Sequence, residues 1–212
     1  MALGLTTIKA HVEKNNELHS DFNGTAIITL YDKKENLETL GQGKNTPFSF
    51  EDYNSIIFSG EVPVVNGEIE VTFMVPKDIN YKVGNGRLTY FIINDEETEN
   101  GHGYCQSFTI GETDPDAPIS AEGPVSKAYI NTPNFVNGQV VDNTPIFYAH
   151  LWDEFGINTI GTGIGHDIIL KLNNDPNQTY ILNDHYTASM GDYKSGTVKY
   201  NLPKLSDGEY SL

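Results

Sequence analysis

Asn66-Gly67 stands between two apolar runs, Ser55–Val65 and Glu68–Val75, and this arrangement constrains the chain more than any other feature. Both residues tolerate positive φ, which a two-residue hairpin turn demands, so the pair predicts an antiparallel hairpin. In the second arm Ile69, Val71, Phe73 and Val75 recur at period two, the spacing of a strand with one buried face. Pro76 ends the run, because proline donates no ladder hydrogen bond. Alternation of this kind, with β-branched and aromatic clusters, recurs along the chain, and no window carries a sustained 3.6-residue apolar stripe. The fold class that follows is all-β.

Strands are expected at Thr6–Glu13, Gly24–Asp32, Arg87–Ile93 and Tyr104–Ile110 besides the hairpin arms, with an acidic loop, Asn94–Gly103, before the last. That density is the arithmetic of a β-sandwich. Gly111–Gly123 reads GETDPDAPISAEG: two prolines, four acids and almost no bulky side chain, so it cannot belong to a core. Strands resume at Val125–Ile130, Pro145–Asp153, Asp167–Leu172, Thr179–Leu182 and Gly196–Asn201. The expectation is two tandem Ig-like or fibronectin-like antiparallel sandwiches: residues 1–111, an acidic Pro-containing linker at 112–123, and an Ig-like unit at 124–212. Leu205–Tyr210 looks like a turn launching one more strand, so the second unit is expected to lack its last strand.

With 212 residues the chain is long enough for a core in each half. Its 29 Asp and Glu against 13 Lys and Arg give a formal charge of −16, which argues against nucleic acid and against anionic membrane surfaces. Cys105 is the only cysteine, so no intrachain disulfide forms. No apolar run is long enough to span a bilayer, and MALGLTTIKA lacks the basic and apolar regions of a signal peptide. Any export signal is therefore expected upstream of Met1, in a longer polypeptide.

The least ordinary stretch is Leu151–Ile168. Trp152 closes an apolar run, Asp153-Glu154 and a Phe155-Gly156 turn follow, and Gly161-Thr162-Gly163-Ile164-Gly165 leads to His166-Asp167. A dinucleotide loop needs GxGxxG opening a helix; here GxGxG opens into the strand pattern DIILKL, so a nucleotide site is disfavoured. Asp153-Glu154, Gly156-Ile157-Asn158 and Gly163-Ile164-Gly165-His166-Asp167 resemble the region downstream of the peptidase domain in PorU-type sortases, the gingipain-related cysteine peptidases of the type IX secretion system. The likeness extends to Asp21-Phe22-Asn23-Gly24-Thr25, Tyr31-Asp32-Lys33-Lys34, Val75-Pro76-Lys77-Asp78-Ile79, Leu182-Asn183-Asp184 and Ser195-Gly196-Thr197-Val198. It thus spans about Thr6 to Leu212.

The resemblance implies a non-catalytic segment of a bacterial, secreted or cell-surface (outer-membrane associated) enzyme. Such an enzyme removes C-terminal sorting domains from exported cargo and attaches the cargo to a lipopolysaccharide-type anchor. The segment would support the catalytic domain or position cargo. Its implied partners are the upstream peptidase domain of the same polypeptide, secreted cargo proteins and outer-membrane secretion components. The alternative is a stand-alone cell-surface adhesin or glycan-binding module, which needs a contiguous exposed aromatic patch.

His102-Gly103-Tyr104-Cys105 tempts as a catalytic pair, but an offset of three in an extended segment puts His102 and Cys105 on opposite faces. The family's His-Gly and Cys lie in an α/β domain, and this chain has no βαβ pattern, so no catalytic residue is carried over. Cys105 reads instead as a buried strand residue. His11, His19, His150 and His185 are scattered without zinc spacing, and no GxSxG occurs. Calcium is the one cofactor kept open, at Asp153, Glu154 and Asp167, or at Asp114 and Asp116 in the linker. Against that stands the reading of these acids as solvated groups and turn caps. The 12 Tyr and 10 Phe fall mostly on apolar strand phases, and Trp152 reads as a core anchor rather than a sugar platform.

Overall fold

The computed structural model describes residues 1–117, 122–160 and 167–212; Gly161–His166 and Pro118–Ala121 lie outside them. Among the described residues there is no α-helix, only two short 3-10 turns, and the chain is all-β. The predicted hairpin joins β3 (Ile56–Val65) to β4 (Glu68–Met74), with Asn66 at φ 53° and Gly67 at φ 76° as a two-residue turn of this hand requires. A Cβ on Gly67 would sit 2.4 Å from the His19 carbonyl oxygen, so the turn also needs glycine for space.

The two arms pair only at the hairpin base, Val64↔Ile69 and Val65↔Glu68. Beyond it β4 leaves β3 and pairs with β1 (Leu5–His11) along its whole length. β3 meanwhile continues against β2 (Gly24–Tyr31), and β2 against β5 (Arg87–Asn94). The two layers close on each other through period-two faces: Ala26, Ile28 and Leu30 of β2, Val62 and Val64 of β3, and Ile69, Val71 and Phe73 of β4 are buried. Phe58 and Phe73 stack across the layers with ring centroids 4.7 Å apart and planes 18° apart.

β6 (Asn100–Cys105) is the outermost strand beside β5. It begins four residues before the expected Tyr104. The acidic loop is short because the Asn94 side chain closes it, its Oδ1 accepting from the backbone N–H of Thr98 (2.9 Å) and Glu99 (2.8 Å). Sequence alternation does not announce this local cap.

In the second half β7 (Val125–Ile130) pairs with β8 (Ile146–Trp152). β9 (Ile169–Lys171) and β10 (Thr179–Ile181) form a separate hairpin, with Leu170, Leu172 and Leu182 buried around it. β11 (Tyr186–Ser189) pairs with β12 (Asp192–Asn201), which in turn pairs with β8. β11 is not anticipated by the sequence, since four residues give too short a pattern to read. Gly196 accommodates it. The Tyr186 ring lies directly on that glycine, where a Cβ would meet the ring and hydroxyl at 2.4 Å.

The halves meet where β4 leaves β3. The vacated edge of β3 receives β11 in one parallel bridge, Ala188↔Gly60, so the main sheet runs β6-β5-β2-β3-β11-β12-β8-β7. Around the bridge the Gly191 N–H donates to the Glu61 carbonyl (3.1 Å) and the Thr159 hydroxyl to the Ile56 carbonyl (3.0 Å). The Asn158 amide also donates to the Asp78 carboxylate. Residues 203–212 form no strand. Instead Asn173 and Ser211 exchange hydrogen bonds: the Asn173 N–H donates to the Ser211 carbonyl, and the Ser211 N–H to Asn173 Oδ1, each at 2.8 Å.

Candidate functional site

The catalytic reading of β6 fails on geometry. His102 lies opposite Phe91, which is 44% exposed, whereas Cys105 lies opposite buried Leu88, so the two side chains leave the sheet on opposite faces. Cys105 is half-buried rather than buried, because the sheet ends at β6 and its inner face is incompletely covered there. A hydrogen bond with the Ser107 hydroxyl (Sγ to Oγ 3.3 Å) holds the thiol below its ordinary range. Tyr90, half-buried on the same inner face, is pushed up to about 12 by burial, with a smaller contribution from Cys105.

Asp153 sits just past β8 and spends Oδ1 on the Phe155 N–H (2.8 Å), a turn-capping role. Glu154 beside it is exposed, and Asp167 begins the segment into β9. The glycine run between them lies outside the described residues. Among the described residues no group of three His, Cys, Asp or Glu side chains is spaced to hold a metal ion. With Asp153 engaged in a turn, equal melting temperatures are expected in EDTA and in excess calcium; a rise with calcium would establish a site.

Trp152 is not a core anchor. With Phe147, Ala149 and Leu151 facing inward, period two turns it outward at the end of β8, where it is 48% exposed.

A different cluster ties the loops at one end of the sheet. Glu99 accepts from Lys14 Nζ (Oε1, 2.5 Å) and pairs with His19 Nε2 (Oε2, 3.2 Å). The hydrogen bond from Lys14, then that from His19, holds its carboxyl below the ordinary range. A depressed folded-state value contributes stability above the unfolded value of about 4.3 that is lost as pH falls through the folded one. Acid unfolding curves of the wild type and Glu99→Gln are therefore expected to diverge above that pH and converge below it.

The crevice where the halves meet, between Phe58, Phe73, Ile157 and Tyr186, holds only about 10 Å³. A small-molecule site needs roughly 300 Å³ or more. An open depression of about 420 Å³ lies instead at the first half's surface, bounded by Lys33, Lys34, Tyr53, Asn80 and Lys82. Lys33 is neutralised there by buried Asp32 (2.6 Å). Sequence reasoning missed this cluster, because its members come from separate segments and no spacing links them.

No family model matches the sequence, and no curated protein matches it. Among solved structures, the crystal structure of dimeric latent PorU from Porphyromonas gingivalis matches over 99% of this chain, with 28% identity and a TM-score of 0.54. The chain resembles a part of PorU. It spans only 20% of that protein's length. The PorU match agrees with the all-β sandwich architecture. No helix among the described residues is long and apolar enough to cross a membrane.

Proposed function

We propose that this chain is the β-sandwich segment downstream of the peptidase domain in a PorU-like cysteine peptidase, where it supports that domain or positions cargo. The observation that carries the reading is the match to PorU across nearly the whole chain at 28% identity. A chain spanning one-fifth of its neighbour suits a module within a larger polypeptide, with chemistry supplied elsewhere. In this reading the parent is a sortase of the type IX secretion system, displayed at the cell surface, and its peptidase domain is the segment's first partner. We also propose that residues 1–111 and 124–212 are two sandwich units joined by the acidic linker.

Intact mass and peptide mapping of the native polypeptide test the reading. The expected result is a much larger product with an upstream α/β segment carrying a His-Gly and a distant Cys. A native protein ending near residues 1 and 212 would overturn it in favour of a free-standing surface module.

A further inference from the structure

β6 pairs with β5 in unbroken register from Leu88↔Cys105 to Ile93↔Asn100, and no described residue pairs with its outer edge. Exposed edges are normally blunted by charge, proline or a bulge. β6, Asn-Gly-His-Gly-Tyr-Cys, carries neither a proline, a bulge nor a Lys, Asp or Glu. The other outer strands do carry charge: Lys127 lies on β7, and Lys9 on β1, paired with Glu70 at 3.0 Å. The inner face beside β6 is open as well. A Cβ on Gly103 would meet nothing within 4 Å, and Tyr90 and Ile92, opposite Gly103 and Gly101, are only half-buried. An arriving strand would find a backbone edge to pair with and apolar surface to cover.

At the Cys105 end the surface becomes basic. The Gln106 amide donates to the Tyr53 hydroxyl (3.0 Å), and its carbonyl accepts from Asn85 Nδ2 (2.9 Å), so the chain leaving β6 runs into the depression beside Lys34 and Lys82. The Arg87 guanidinium lies between two tyrosine rings, 5.7 Å from Tyr53 and 5.5 Å from Tyr104, and its buried Nε has no hydrogen-bond partner. Lys34 Nζ lies 5.7 Å over the same Tyr53 ring. None of Arg87, Lys34 and Lys82 has a carboxylate within ion-pair distance among the described residues. Neighbouring acids are engaged elsewhere: Asp32 with Lys33, Glu35 with the Ser55 hydroxyl, and Asp52 with the Tyr53 N–H.

We propose that β6 is a docking edge for an extended acidic peptide. Its backbone adds to the sheet as a further strand, and carboxylates reaching past Cys105 are received by Arg87, Lys34 and Lys82. The proposal stands independently of the PorU-like reading.

The test uses the isotope-labelled chain and a hexapeptide of alternating valine and glutamate, followed by amide chemical shifts. Saturable shifts confined to β5, β6 and residues 34, 53 and 82 are expected at peptide concentrations up to about 1 mM. The valine–lysine hexapeptide should bind about fivefold more weakly or worse, and the K34Q/K82Q double variant, altered only at exposed side chains, should abolish that preference. A peptide N-methylated at alternate amides should not bind, since it cannot complete the ladder. Absence of saturable shifts, or binding indifferent to N-methylation, overturns the proposal. A concentration-dependent dimer in sedimentation whose contact maps to β6 also overturns it, assigning the edge to a second copy.

Discussion

Replacing Phe73 with alanine is expected to lower the unfolding free energy by about 3–5 kcal/mol, the loss typical of a large ring removed from a packed core. Phe73 is 1% exposed, projects from the turn-distal end of β4, and stacks on Phe58 of the facing layer. Beyond the hairpin base β4 is held against β3 by packing rather than by backbone hydrogen bonds, because their ladder ends two pairs from the turn. The ring thus does by packing what hydrogen bonds do elsewhere in the sheet. Denaturant midpoints of the wild type, Phe73→Ala and Phe73→Leu measure the effect, with leucine recovering a large part of it. A loss below about 1 kcal/mol would mean that the two layers are not closed at this point.

Gly60→Val is expected to cost about 1–3 kcal/mol by overpacking and to loosen the two halves from each other. A Cβ at Gly60 would lie 2.9 Å from the Phe58 ring and 3.1 Å from the Ala188 methyl group, inside the bridge between β3 and β11. Trp152, the only tryptophan, lies in the second half and supplies a local probe. In the wild type its fluorescence and the far-ultraviolet circular dichroism should follow one transition. In Gly60→Val the fluorescence transition should separate from the whole-chain signal as the second half melts on its own. Coincident transitions in the variant would contradict the proposed division into two units.

Period-two patterns made most strands legible, because a buried face leaves its alternation in the sequence wherever a strand is long enough. Ala26, Ile28 and Leu30, and Ile69, Val71 and Phe73, are buried as their spacing requires. The Asn66-Gly67 turn was equally plain, since its chemistry is local. Two things were not legible. β11 is too short to show a period, and its place beside β3 depends on β4 departing, a tertiary event with no local signature. The cations around Tyr53 come from separate segments and meet only after folding. Trp152 was misjudged because hydrophobic bulk suggested the core, while its phase on β8 decided the outcome. The proposed acidic-peptide edge likewise depends on where β6 falls in the sheet, which no reading of Asn-Gly-His-Gly-Tyr-Cys reveals.

The late arrival of β11 also has a temporal side. Once the first half has emerged from a ribosome, β4 can already have turned away to β1, leaving the edge of β3 bare at Gly60. Its partner, Tyr186–Ser189, follows more than a hundred residues later. At about 5–20 residues per second that interval is of order ten seconds. During it the nascent chain displays a sticky strand whose rightful mate does not yet exist. A holding chaperone acting in that window would raise the yield of the whole chain far more than that of its first half alone.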